Sequence, residues 1–338
     1  MDPLDVVALT RTLVDVDSTT GREAEVGAWL ANYLRARGFV VREQPVAGDR
    51  FNIFATPTDR PPRVVLSTHF DCVPPFFPSR LDGERLYGRG SCDAKGILAA
   101  QVTAAERLRA EGVMAFGLLF LVGEERGSDG AAVANEHSPG SAFLVNGEPT
   151  DGRLGRSTRG VLRVRLRAAG RAAHSSYPET GESAIEKLID ALVRLRHIDW
   201  PADASMGRTF YTVGVISGGV APNVVPADAE AEVLFRTVGP ADAVRRLLAS
   251  VEDLVAVEDV LEVIPVGLTT IPGFETAAFP YTTDIPLLAQ WGTPLLYGPG
   301  SVLVAHTAEE YVDVPALQRA VDDYVRLTRT LGATSSAS

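Results

Sequence analysis

The stretch AFGLLFLVG, Ala115–Gly123, is apolar without a break and runs straight into two acids, Glu124 and Glu125. A strand with one wet face alternates apolar and polar residues, whereas a strand covered on both faces need not, so this run belongs inside a sheet with helices on each side. Its neighbours share the texture. VVLSTH, Val64–His69, and SAFLVN, Ser141–Asn146, are similar short runs, and between them Ile97, Leu98, Val102, Ala105 and Leu108 recur at helical spacing behind Asp93. Strands alternating with helices predict an α/β domain with a mostly parallel, helix-covered mixed sheet, and ligands of such sheets gather beyond the carboxyl ends of the strands. Near the start, Thr20 and Glu23 have capping-box spacing ahead of Val26, Trp29, Leu30, Tyr33 and Leu34, and Gly38 supplies a stop.

The texture changes near Gly160. VLRVRLRAAG alternates apolar and basic residues with period two, the mark of a half-exposed strand. A helix over Ser183–Leu195, strands near Arg208–Ser217 and Ala229–Thr237, a helix over Ala241–Leu254 and a strand over Val260–Pro265 complete a β-α-β-β-α-β order. That order predicts a ferredoxin-like α+β module over 160–265, inserted into a large domain made of 1–159 and 266–338. A chain of 338 residues that is 46 % apolar has material for two cores. Only the closing GATSSAS is polar enough to read as disordered.

Charge and leader signals narrow the partners. A net charge of −11, with only four or five Arg-rich, lysine-poor patches, works against nucleic acid as a partner. The start, MDPLDVVALTRTLVDVDS, carries acids where a signal peptide carries bases, and no apolar run approaches the ~18 residues of a membrane span, so the expectation is a cytoplasmic protein with no membrane contact. Two cysteines, Cys72 and Cys92, build no disulfide framework; each adjoins a candidate site acid and reads as a packing thiol.

Chemistry concentrates where the apolar runs stop. His69 ends one, and Asp71, two residues on, faces the same side, so it can hold one imidazole nitrogen while the other is offered to a metal. Asp93 opens the long helix, where free N–H groups favour a carboxylate and an N-cap is the simplest role. The Gly88-x-Gly90 just before it lacks the third glycine of a dinucleotide loop and follows no strand. Glu124 and Glu125 end a buried strand, Glu148 ends the next and His306 ends another apolar run near the C-terminus. Acids at the mouth of an apolar sheet need compensating charge. Two divalent ions are balanced by Asp93, Glu125, Glu148 and one hydroxide with His69 and His306 neutral, while a single ion leaves anion in excess. If Asp93 bridges, each metal gains one His and one terminal Glu with room for water, and Glu124 is the spare carboxylate.

The ordered set STHFDCVPP, YGRGSCDAKG, VGEERGSDG, NGEP, AAHSSYPETGESAI, GGVAPNVVP and AHTAEEYV resembles the dizinc metallopeptidase family of aminoacylases, acetylornithine deacetylases, succinyl-diaminopimelate desuccinylases and glutamate carboxypeptidases. The resemblance spans essentially the whole chain, and its inserted module is that family's lid or dimerisation domain. It implies two Zn2+, with Co2+ as a substitute, held by His69, Asp93 and Glu148 and by Asp93, Glu125 and His306. Glu124 becomes the general base and Asp71 the acid behind His69. His174 resembles the lid residue that reaches a neighbouring subunit's site and steadies the substrate carbonyl oxygen, so a homodimer is expected. Arg236 and Asn223 match lid positions that contact a substrate carboxylate. Cys72 and Cys92 depart from the family pattern, and His137 and His197 match no motif. The substrate implied is a small N-acyl amino acid or a short peptide. The short chain and YTTDIPLL favour a deacylase of the acetylornithine or acetyl-lysine type; a carboxypeptidase or dipeptidase is the alternative, and a non-catalytic metal-dependent binder is disfavoured by the full ligand set.

Overall fold

The computed structural model describes residues 5–333. They form two compact units, one made of the chain up to Arg156, Leu268–Ala277 and the chain from Thr283 onward, the other of Ser157–Gly267 and Ala278–Thr282. The polar tail beyond Ala333 lies outside the described residues.

The first unit runs α1 (Val6–Val14), α2 (Ala24–Ala36), β1 (Val40–Ala47), β2 (Arg50–Thr56), β3 (Val64–His69), α3 (Lys95–Ala110), β4 (Phe116–Leu121), α4 (Asp129–Glu136) and β5 (Phe143–Asn146). The second carries β6 (Gly160–Ala169), α5 (Ala184–Arg196), β7 (Phe210–Gly218), β8 (Asp228–Thr237), α6 (Asp242–Leu248) and β9 (Ala256–Val263). The chain then returns through β10 (Thr293–Leu296) and α7 (Val314–Ala333).

In the first unit the sheet order is β1-β2-β4-β3-β5-β10. The β4-β3, β3-β5 and β5-β10 neighbours are parallel, and the β1-β2 and β2-β4 pairs antiparallel. Successive side chains on the inner strands feed two separate cores, which is why those strands read as unbroken apolar runs. Leu66, Leu118 and Phe120 pack with residues of α1, α2, α3 and α7. Val65, Leu119 and Leu121 pack with Ala131, Ala134 and Trp291 on the opposite face. Each such side chain contributes about 1.5–3 kcal/mol by leaving water. The parallel strands all end on one edge, with His69 opposite Leu121.

The second unit is an antiparallel sheet in the order β7-β8-β6-β9, the arrangement of a ferredoxin-like module. Leu162, Val164 and Leu166 of β6 pack against Leu188 and Leu195 of α5 and Val244 and Leu248 of α6. The intervening arginines face outward, with Arg165 2.7 Å from Glu232 and Arg167 3.2 Å from Glu258 on the flanking strands. That ladder is the source of the period-two pattern. The edge strand β7 leaves Phe210, Val215 and Ile216 exposed.

Two local expectations are corrected. No capping box forms at α2. Glu23 is fully buried, accepts the Gly21 N–H at 2.6 Å and pairs with Arg50 at 2.9 Å, while the Thr20 hydroxyl donates to Asp71. A charged bond to a half-buried guanidinium outcompetes a bond to a helix-end amide. The helix expected to reach Leu254 stops as α6 at Leu248 and continues as a single 3-10 turn, Ala249–Val251.

Candidate metal centre

The carboxyl ends of β3, β4 and β5, the loop after β10 and the start of α3 together place the candidate residues. His69, the last residue of β3, is 1 % exposed. Its Nε2 lies 3.1 Å from Asp93 Oδ1. Its Nδ1 lies 3.1 Å from the main-chain carbonyl of Asp71 and 3.4 Å from that residue's carboxylate, so both groups orient the ring. Asp71 also accepts the Thr20 hydroxyl at 2.8 Å and the backbone N–H groups of Glu124 and Glu125 at 3.0 and 3.2 Å. One carboxylate thus steadies the imidazole and the neighbouring acid turn together.

Asp93 does not cap α3. The cap residue is Ala94, with no side-chain cap bond, and the Asp93 carboxylate turns into the cluster, Oδ1 toward His69 and Oδ2 3.3 Å from His306 Nε2. Its backbone is set by Glu310, whose Oε1 accepts the N–H groups of Gly90, Cys92 and Asp93 at 3.0, 3.1 and 3.0 Å. Glu310 Oε2 meets Arg89 at 2.6 Å, and both side chains are buried. Sequence reasoning missed Glu310 and Arg89. The available signal was an acid just before an apolar strand, four residues past His306, in a motif already supplying a donor.

Glu124 and Glu125 lie in a 3-10 turn, Glu124–Arg126, between left-handed Gly123 and Gly127. Glu125 meets His306 Nε2 at 3.0 Å, whereas the Glu124 carboxylate makes no hydrogen bond or ion pair among the described residues. His306 is itself left-handed, φ 63°, a conformation uncommon for a non-glycine residue. Glu148 is 5 % exposed, and its Oε1 is buried with no hydrogen-bond partner among the described residues. Ligand atoms of His69, Asp93 and Glu148 fall within 4.8 Å of one another, and so do those of Asp93, Glu125 and His306. Asp93 belongs to both sets.

Charge decides what such a cluster accepts. Burial pushes the Glu124, Glu125 and Glu148 carboxyls up, since their anions crowd together out of water. Burial opposes a cation at His69, but its bonds to Asp71 and Asp93 outweigh this and raise it; bonds to Asp93 and Glu125 raise His306 to about 10. Burial likewise opposes the Asp93 anion, and the two imidazoles more than offset it. These shifts favour protons on the bare cluster. The orphaned Glu148 oxygen and the mixed imidazole and carboxylate donors suit a pair of borderline divalent cations, which would replace those protons.

The cysteines are not donors here. Both are buried free thiols, Cys72 pushed up to about 12 by burial and Cys92 raised for the same reason, so neither is a thiolate at neutral pH. His137 and His197 sit at the C-terminal ends of α4 and α5. The remaining candidates belong to the second unit. His174 is exposed and accepts the Ser176 N–H, and Ser175 next to it donates to the Asn223 carbonyl, so His174 and Asn223 are neighbours. Arg236, half-buried on β8 opposite Phe210, has no ion-pair partner among the described residues.

Comparison with known proteins agrees with this architecture. Residues 156–261 match the M20 peptidase dimerisation domain. A probable carboxypeptidase of Aspergillus clavatus is 39 % identical over 96 % of this chain and 82 % of its own length. A peptidase M20 domain-containing protein of Schizosaccharomyces pombe is 36 % identical over 96 % of this chain and 84 % of its own. The chain belongs to the M20 peptidase family. Solved M20-like structures share its fold: a Staphylococcus aureus tripeptidase superimposes with a TM-score of 0.82 at 20 % identity, covering 97 % of this chain and 98 % of that one. A dinuclear metal-binding M20 peptidase of Bacillus subtilis gives 0.73 at 16 % identity, covering 97 % and 98 %. This M20 chain is accordingly a hydrolase of peptide or amide bonds.

Metal uptake by the M20 chain has to expel protons from His306, His69 and the raised carboxyls. Calorimetric titration of the metal-free protein with Zn2+ or Co2+ in buffers of different ionisation enthalpy will show net proton release, and affinity will strengthen as pH rises from about 6 to 8.

Proposed function

We propose that the chain is a zinc-dependent carboxypeptidase that releases the C-terminal residue of short peptides. The observation that carries this reading is the pair of donor sets sharing Asp93, with the unengaged Glu124 carboxylate in the turn just past the end of β4. Relatives named as probable carboxypeptidases favour a peptide over an N-acyl amino acid, the substrate that chain length and YTTDIPLL first suggested. A deacylase would use the same centre. His69, Asp93 and Glu148 would hold one zinc ion, and Asp93, Glu125 and His306 the other. When bound, the ions act as Lewis acids that lower the pKa of an attacking water and polarise the scissile carbonyl.

The chain's own groups then have distinct tasks. Glu124 takes the water proton on its carboxylate and delivers it to the departing amine nitrogen, a role for which a carboxyl raised by burial is suited. Asp71 keeps the His69 ring oriented and, through the Glu124 and Glu125 amides, keeps the base in place. On the family resemblance, His174 is assigned to the substrate carbonyl, and Arg236 with Asn223 to a substrate carboxylate. The absence of a competing acid at Arg236 supports that assignment, because a guanidinium binds carboxylate in a bidentate fork. Two free buried thiols suit a reducing compartment, and we place the protein in the cytoplasm. No helix among the described residues is long and apolar enough to cross a membrane.

We also infer a homodimer formed through the second unit, where β7 offers an unpaired edge lined by Val213, Val215 and Ile216. Replacing Ile216 with Lys is expected to halve the mass measured by light scattering while the circular dichroism stays unchanged.

The function is tested on metal-loaded protein with dipeptides, N-blocked peptides ending in a free carboxylate, their C-terminal amides, and N-acetyl-ornithine and N-acetyl-lysine. Free-carboxylate peptides should be cleaved and the amides spared; a higher kcat/KM for the acetylated amino acids would return the assignment to a deacylase. Glu124→Gln should cut kcat by about 10²-fold or more with metal content unchanged.

A further inference from the structure

The loop that carries Glu124 and Glu125, between β4 and α4, is closed from outside by side chains of β2. Its own backbone is unfavourable: φ is 76° at Gly123, 99° at Gly127 and 56° at Ser128, and serine rarely adopts the left-handed region. The β2–β4 ladder ends with Ile53 opposite Phe120. One residue further along, the Asn52 side chain takes over from the main chain. Its Oδ1 accepts the Val122 N–H at 3.2 Å, and its Nδ2 donates to the Gly130 carbonyl at 2.8 Å. A single fully buried amide thus ties the residue before the loop to the residue after it. Nδ2 also reaches Gln44 on β1 at 3.3 Å, which fixes the amide in turn.

Arg50, two residues earlier on the same face of β2, closes the loop a second time. Its Nη1 and Nη2 fork onto the two carboxylate oxygens of Asp129 at 2.8 and 3.1 Å. The fork lies against Gly123, where a Cβ would collide with both the Asp129 carboxylate and the guanidinium. The same guanidinium grips Glu23 through Nε and Nη2 at 3.1 and 2.9 Å, in the segment whose Thr20 hydroxyl bonds Asp71. Asp71 holds the Glu124 and Glu125 amides, so the loop is fastened at its neck and at its middle. We propose that Asn52 and Arg50 are positioning residues: from β2 they hold the neck of the 123–129 loop shut and so fix the place of the Glu124 carboxylate.

This inference rests on the reading of Glu124 as the base, so its test includes a readout that does not require turnover. In the full chain, Asn52→Ala and Asp129→Ala, the second at a half-exposed side chain, should each make the Glu124, Glu125 and Ser128 amides exchange with deuterium roughly tenfold faster, while those of Leu118 and Phe120 in β4 keep their protection. In both variants kcat should fall roughly 10- to 100-fold with KM unchanged. Arg50→Lys keeps the charge but loses the fork, and should behave as Asp129→Ala does. Wild-type exchange or wild-type kcat in the alanine variants, equal loss of protection in the loop and in β4, a rise in KM with kcat held, or an Arg50→Lys variant indistinguishable from wild type would each overturn the proposal. Should Asn52→Ala fail to fold, Asp129→Ala and Arg50→Lys decide the matter. A wild-type protein that hydrolyses none of the substrates would remove the role given to Glu124, and the exchange measurement would still decide whether β2 holds the loop shut.

Discussion

Carboxylates held out of water repel one another far more strongly than they do at a surface, and this chain gathers Asp93, Glu124, Glu125 and Glu148 at the rim of one apolar sheet. That repulsion organises everything around it. Only positive charge at the centre makes the arrangement tolerable, and the two imidazoles that share it lie on opposite oxygens of Asp93. In the bare protein the shifted groups favour protons there, and cations would take their place in the working one. The parallel strands matter because their carboxyl ends open on one edge, so residues far apart in sequence arrive at one place.

Converging is not the same as being held in place. Two of the donor segments, the Glu124–Glu125 turn and the Asp93 turn, are each pinned by another carboxylate that accepts backbone N–H groups. Asp71 does this for Glu124 and Glu125, and Glu310 does it for the Asp93 turn, with Arg89 neutralising the cost. Acids therefore serve twice, as candidate donors facing the centre and as struts behind it. Removing a strut would leave buried amides without acceptors, which costs more than the bond itself contributes.

The sequence made the architecture and the candidate donors legible for one reason. Unbroken apolar runs announce doubly covered strands, and His69, Glu124, Glu125, Glu148 and His306 stand at or just beyond the places where such runs stop. Alternation in β6 announced a sheet with one wet face, and the structure shows its arginines paired across that face. The struts were illegible because a side chain that bonds to backbone amides leaves no periodicity behind. Thr20 and Glu23 show the same limit from the other side: their spacing fitted a local cap, but long-range partners, Asp71 and Arg50, claimed both. Asp93 looked like a helix cap because a carboxylate in front of a helix usually is one, and only the proximity of both histidines turns it elsewhere.

Glu310 lies four positions beyond His306, and the two grip the Asp93 segment from either end: one touches its carboxylate, the other its amides. The intervening Thr307, Ala308 and Glu309 thus act as a ruler of fixed length. Inserting or deleting a single residue there would pull one grip away whenever the other was kept, so this surface loop, unlike most, has no freedom to drift in length.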